Sequence, residues 1–260
     1  MSSLEFDPEV SRQIEAMYTT PDVVEQRRVV RMALALRPGD RVLDVGVGPG
    51  LLAAEMAGEV GPDGRVCGVD ISDSMLAIAG TRADVPGGPT LELEAASAAR
   101  LPYGAENFDV VVSTQVFEYV DDVAGALAEI RRVLRPAGRV LLLDTDWGSI
   151  VWRSNDDARM ARVLKAFEEH LQDPHLPRSL GEALDKAGFT RTHLQVIPLL
   201  NVGYDHRTYS AGLIDIVSAF VPGHANITAA EAEAWADELR SQGESYFFSL
   251  NRYLFVASAI

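Results

Sequence analysis

Apolar residues recur along this chain at two spacings, and the places where one gives way to the other mark out its elements. Over residues 8–36, Val10, Ile14 and Met17, then Val23, Val24, Val29, Val30, Met32, Ala33 and Leu36, fall at helical spacing and predict two helices. They break at Thr19-Thr20-Pro21, where Thr20 is placed to cap the second helix and Pro21 suits its first turn. Tyr18, just before the break, sits on a predicted loop able to fold over a site. Short apolar runs then predict strands over 41–45, 65–69, 91–94, 108–113 and 139–143. Between them, helical patterns cover 51–60 and 72–79, and a third helix carries Val123, Leu127, Ile130 and Leu134 before Pro136-Ala137-Gly138 ends it. Strands alternating with helices of this length imply a parallel sheet covered on both faces, which binds ligands outside the carboxyl ends of its strands.

Beyond residue 145 the alternation loosens. An amphipathic stretch over 156–171 and a helix over 179–187, stopped by Gly188, lead to a strand over 192–197. Helical patterns over 209–220 and 228–242 follow, the second opened by Thr228 and Glu231 at capping-box spacing, and an aromatic and β-branched run over 246–259 predicts a final strand. There is no internal repeat or linker. The chain therefore reads as a single domain over 1–260: N-terminal helices in 1–36, a ligand-binding core in about 37–146, and inserted cap helices within about 147–243.

Charge and composition narrow what such a fold acts on. A formal net charge of -15 over 260 residues repels nucleic acid and anionic membrane surfaces. The basic pairs Arg27-Arg28 and Arg131-Arg132 lie in helical patterns as solvated faces, so they do not offset that field. The lone cysteine, Cys67, lies inside a strand pattern and reads as a small buried hydrophobe. The acidic first ten residues lack the basic start and apolar core of a secretory signal, and no apolar run approaches membrane-spanning length, so a cytoplasmic location is expected.

The strand over 41–45 runs into Gly46-Val47-Gly48-Pro49-Gly50 and then a helix. Glycines adopt positive φ and leave backbone N–H groups bare, so a ligand can lie against the main chain beside a helix N-terminus. Asp70, at the end of the second strand, can accept both hydroxyls of a ribose. Those features fit a nicotinamide dinucleotide or another adenosine cofactor. The dinucleotide fingerprint places its third glycine about five residues after the first, where this chain has Leu51. Asp44, just before the turn, would repel a pyrophosphate and suits a cationic ligand.

Val42-Leu43-Asp44-Val45-Gly46-Val47-Gly48-Pro49-Gly50 resembles the first motif of class I S-adenosylmethionine-dependent methyltransferases, of the small-molecule, UbiE-like type. Leu101-Pro102-Tyr103, Asn107-Phe108-Asp109-Val110-Val111 and Arg132-Val133-Leu134-Arg135-Pro136-Ala137-Gly138-Arg139-Val140 are similar to later motifs of that family, in order, over roughly 22–146. The resemblance implies a doubly wound, Rossmann-like, mostly parallel seven-stranded sheet with helices on both faces and a helical cap inserted in the C-terminal half. It implies S-adenosyl-L-methionine as cofactor, with S-adenosyl-L-homocysteine as its product. Gly46, Gly48 and Gly50 would pack on the methionine part and Asp44 reach its amino group. Asp70 would hold the ribose, with Ile71 and Met75 against the adenine. Gln115 would stand beside the transferred methyl group. Ala96-Ser97-Ala98 departs from the family's Gly-Asp-Ala: Ser97, next to Ala98, offers the adenine a neutral hydroxyl in place of a carboxylate.

Candidate acceptor-side groups follow the later strands. Asp146, in Asp144-Thr145-Asp146-Trp147, can orient an amine or accept a phenol proton, and Trp147 can stack on a flat or cationic acceptor. His206, where the inserted region begins, is a second candidate base, and Glu118 and Tyr119 lie within reach. The remaining histidines show no ligand spacing with one another or with Cys67, so no metal is expected, and neither a nucleophile elbow nor a Walker motif occurs. The residues leave open a methyltransferase acting on O, N or C of a small molecule, a non-methylating cyclase or cofactor-binding module on the same fold, and an NAD(P)-dependent oxidoreductase. The resemblance favours the first.

Overall fold

The computed structural model describes residues 8–259. Two helices, α1 (Pro8–Tyr18) and α2 (Pro21–Leu34), precede the alternating unit. That unit comprises β1 (Arg41–Val45), α3 (Leu51–Val60), β2 (Arg65–Asp70), α4 (Asp73–Gly80), β3 (Glu92–Ala95), β4 (Phe108–Thr114), α5 (Val123–Val133) and β5 (Leu134–Thr145). The later half holds β6 (Val151–Trp152), α6 (Asp157–Phe167), α7 (Pro177–Lys186), β7 (Phe189–Val202), α8 (Tyr209–Phe220), α9 (Ala229–Arg240) and β8 (Phe247–Ala259). The eight strands form one open sheet in the order β3-β2-β1-β4-β5-β8-β6, with β7 also paired to β8. The first five run parallel, and β8 is antiparallel to β5, β6 and β7.

The β1, β2 and β4 strands are buried along nearly their whole length, as a sheet covered on both faces requires. On one face, Leu43, Cys67 and Val111 pack against Leu127 and Ile130 of α5 and Leu180 and Leu184 of α7. On the other, Val42, Val66 and Val110 pack against Leu34 of α2 and Met56 and Val60 of α3. A third apolar cluster unites α6, α8 and α9 around Trp152, Trp235 and Phe248, and Met17 and Val23 join it from the N-terminal helices. The cap is thus fastened to the start of the chain. Asp22 Oδ2 accepts hydrogen bonds from Asn201 Nδ2 and the Tyr209 N–H, each at 3.0 Å, tying α2 to β7 and α8. No helix of the described residues is long and apolar enough to cross a membrane.

Several elements differ from expectation for local reasons. The eighth strand is the two-residue β6, too short to show a period. Pro136-Ala137-Gly138 does not end α5, which stops at Val133. It lies inside β5, where Ala137 takes φ 60° and the register with β4 shifts between Phe108 and Val110. The β7 strand is 14 residues long, paired with β8 from Phe189 to Val202, and apolar residues occupy both of its faces, Ile197 and Leu199 buried and Leu194, Val196, Leu200 and Val202 exposed, which hides the alternation. Thr20 does not cap α2: its hydroxyl donates back to the Met17 carbonyl at 2.7 Å.

Candidate active site

The strand order reverses between β1 and β4, and at their carboxyl ends lies a cavity of about 510 Å³. Its outer end is built from backbone. Gly46 takes φ 76° and donates its N–H to the Val69 carbonyl at 2.8 Å, and a Cβ there would meet Val116 Cγ2 at 2.1 Å. Gly48, at φ 52°, has only the Gly46 carbonyl within 4.0 Å of where a Cβ would stand, so its open side faces the cavity. Its N–H donates to Asp70 Oδ2, and the Ser72 N–H donates to Asp70 Oδ1, each at 2.9 Å. Both oxygens of Asp70 are thereby fixed, each with a further lone pair. Burial raises the Asp70 pKa even against these bonds.

Asp44 lines the same end, is 2 % exposed, and its Oδ1 has no hydrogen-bond partner. Burial first, and the Asp70 charge second, push its carboxyl well above the usual range. An orphaned carboxylate oxygen in a buried wall is stabilised by a cation. These residues therefore fit the ammonium and ribose of S-adenosyl-L-methionine. Ile71, 75 % exposed, stands at the rim with Met75 and Ala98 buried beside it, while Ser97 is exposed and takes the Ala99 N–H at 3.2 Å. Gln115 closes the far side at φ 58°, its N–H 2.6 Å from the Leu143 carbonyl.

The inner end is built from side chains. Ile14, Met17 and Tyr18 of α1, Val23 and Gln26 of α2, Phe167 of α6 and Tyr209, Leu213 and Ile216 of α8 surround it, with Trp147 and His170. Tyr18 closes the last turn of α1 rather than lying on a loop. Glu118, 1 % exposed, accepts the Trp147 indole N–H and the Thr145 backbone N–H on Oε2, each at 3.2 Å. Burial pushes its carboxyl up to about 7 against the opposing pull of Arg252. Arg252 is fully buried in β8. Its guanidinium lies 4.6 Å from the Tyr209 ring centre and bonds Gln26 Oε1, while Nε and Nη2 have no partner. Burial keeps the Tyr18, Tyr119 and Tyr209 hydroxyls neutral and holds His170 down to about 4.

Of the residues expected in the site, the fold brings Tyr18, Asp44, Gly46, Gly48, Asp70, Ile71, Met75, Ser97, Ala98 and Gln115 to one cavity. Gly50 is not in its wall: a Cβ there would meet Ala79 Cβ at 2.9 Å, so this glycine lets α3 start close against α4. Asp146 is not brought to the cavity. It accepts the Gly148 N–H at 3.1 Å, is held by Arg178 Nε at 2.9 Å and His175 Nδ1 at 3.0 Å, and lies outside the cavity wall. Burial raises its carboxyl, but Arg178 and His175 win and hold it below its ordinary value. Nor is His206, whose side chain is 83 % exposed beside Asp205 and does not line the cavity. Sequence reading had no role for Gln26 or Arg252. A single charged residue in the otherwise uncharged strand 247–259 was the available signal, since a charge at a buried position is the informative exception. Among the described residues no cluster of His, Cys, Asp and Glu is arranged to hold a metal ion.

Comparison with known proteins agrees with this geometry. The family model described as a methyltransferase domain matches residues 43–142. A demethylmenaquinone methyltransferase of Symbiobacterium thermophilum is 32% identical over 184 residues, covering 63% of this chain and 73% of that protein. A 37.1 kDa uncharacterized protein of the Streptomyces fradiae transposon TN4556 is 30% identical over 260 residues, 97% of this chain and 72% of the other. In fold, the chain matches a Bacillus halodurans methyltransferase candidate with a TM-score of 0.66 at 20% identity, covering 90% of this chain and 98% of that one. It also matches Haemonchus contortus phosphoethanolamine N-methyltransferase 2 in complex with S-adenosyl-L-methionine, with a TM-score of 0.64 at 19% identity, covering 98% of this chain and 58% of that one. The site and the fold are those of an S-adenosylmethionine-dependent methyltransferase. The chain belongs to the class I enzymes of that kind, of the UbiE-like type.

Proposed function

We propose that this enzyme methylates a flat, largely apolar small molecule seated between Gln115 and the aromatic inner wall. The observation that carries the reading is the continuity of one cavity from Asp70 to Tyr209, with a polar backbone cradle at one end and Tyr18, Trp147, Phe167 and Tyr209 at the other. In this reading Asp44 holds the cofactor's ammonium, Asp70 its ribose hydroxyls, and Ile71, Met75, Ser97 and Ala98 the adenine. The cofactor supplies a methyl group on a sulfonium, open to in-line displacement. The chain's own task is then to hold the acceptor on that axis and exclude water. Tyr18 and Met17 of α1, with Leu213 and Ile216 of α8, do the second.

The relative from Symbiobacterium thermophilum is named for demethylmenaquinone, and an aromatic wall of this kind suits a ring of that shape, with methylation on carbon or oxygen. Cys67, buried and unpaired, suits the reducing cytoplasm in which we place the enzyme. Mass spectrometry for a gain of one methyl group, across phenols, amines and carboxylates supplied with S-adenosyl-L-methionine, tests the proposal. Methylated phenols or their ring carbons support it. A gain confined to aliphatic amines or carboxylates overturns the acceptor class.

A further inference from the structure

We infer that Glu118 takes the acceptor's proton during methyl transfer, an inference that rests on the acceptor seat proposed above. Five carboxylates line the cavity. Asp44 and Asp70 flank the glycine turn, and Asp121 and Asp122 are exposed at the mouth, where Asp122 caps α5 through the Gly125 N–H at 2.8 Å. Glu118 alone is buried at the inner end. Its Oε2 is immobilised by Trp147 and Thr145, both bonds fall on that one oxygen, and the residue lines the cavity wall. A carboxylate fixed by one oxygen and presenting the other is oriented for proton transfer.

The groups packed around it support that task. From β8, Arg252 supplies a buried guanidinium with two nitrogens, Nε and Nη2, that have no hydrogen-bond partner. Its positive field persists when Glu118 becomes neutral, so the negative charge that passes to the acceptor stays compensated. From β5, the buried Asp144 turns Oδ1 to the Val116 and Glu118 N–H groups, each at 3.2 Å, and burial first and the Glu118 charge second push its carboxyl well above the usual range. Tyr18 of α1, Tyr209 of α8, Tyr119 and Trp147 supply neutral rings. His170 is a poor competitor, because its Nδ1 is engaged with the Phe167 carbonyl and burial holds the ring neutral. Burial leaves the Glu118 carboxyl at about 7, where a base is effective at physiological pH.

The step balances. The acceptor's O–H proton moves to Glu118 Oε1, and an electron pair of the oxygen so charged, or of the ring carbon it activates, forms the new bond to the methyl carbon; in the second case that ring carbon afterwards sheds its own proton to water. The carbon–sulfur bond breaks with its pair returning to sulfur, and Glu118 then releases its proton to water.

A probe whose ionisation is visible tests this without the natural acceptor. The protein saturated with S-adenosyl-L-homocysteine is mixed with 3-nitrophenol in neutral buffer, where Glu118 is partly ionised and the free phenol largely is not, and the yellow phenolate band is followed. The wild type is expected to raise the bound phenolate fraction, and Glu118→Gln to give about tenfold less, as one pKa unit of lost proton affinity requires. Glu118→Asp, which keeps a carboxylate, recovers part of the signal. Equal phenolate in the wild type and Glu118→Gln, or none in the wild type, overturns the assignment. Calorimetry with S-adenosyl-L-homocysteine on the same samples separates the two readings: failure of the wild type to bind it counts against the methyltransferase site itself.

Discussion

The two ends of the cavity are made of different material. At the cofactor end the contacts come from main chain: Gly46 and Gly48 in the left-handed region, the Gly48 N–H on Asp70, and the start of a helix, all within residues 44–75. At the acceptor end the wall is side chains from α1, α2, α6 and α8, and the bond from Gln26 to Arg252 spans 226 positions. A backbone cradle must be written locally, because φ and glycine spacing are local properties. A side-chain pocket is assembled by packing, so it can be rebuilt for a new acceptor without disturbing the cradle.

That contrast predicts where substitution is tolerated. Gly46→Ala is expected to have the largest effect, because it adds a strained φ to a Cβ only 2.1 Å from Val116. A stability loss of about 3 kcal/mol by urea unfolding is expected. Adding Val116→Ala to it should return about 1 kcal/mol by relieving the clash and leave the strain. A pair that shows no such recovery would mean that the cradle is not held by this contact.

Asp44→Asn should act in two directions. The Asp44 carboxyl has a raised pKa in the fold, so its contribution to stability is complete below the unfolded carboxylate value and is lost as pH rises through the folded one. The variant without cofactor should therefore melt higher than the wild type at pH 8 and gain nothing near pH 4. Affinity for S-adenosyl-L-homocysteine should fall by about 1–3 kcal/mol, the cost of removing a charged partner from the ammonium. Equal melting temperatures at pH 8 would contradict a buried, uncompensated charge. His206→Ala is expected to have the smallest effect, within about 0.5 kcal/mol on unfolding and no change in cofactor affinity.

The same contrast explains what the sequence made legible. The spacing of Gly46, Gly48 and Gly50, with Asp44 before and Asp70 after, announced the cradle, because each residue acts through its neighbours in the chain. Gly50 shows the limit of that reading: the glycine is needed, but for Ala79 rather than for a ligand. Asp146 was drawn toward catalysis by its strand-end position, and only the fold reveals Arg178 and His175, 32 and 29 positions away, closing on it. Glu118 was within view but indistinguishable from helix-start acidity until burial and the Trp147 bond set it apart. The cap showed its helices by period, yet periodicity says which face is buried and not what that face encloses.

The central claim is that the glycine turn and Asp70 form one cofactor site. Titration calorimetry with S-adenosyl-L-homocysteine tests it directly. The account predicts saturable binding of one molecule per chain, weakened about 100-fold by Asp70→Ala, the loss of two hydrogen bonds to a charged group. Absence of binding by the intact protein, or undiminished binding by Asp70→Ala, would contradict it.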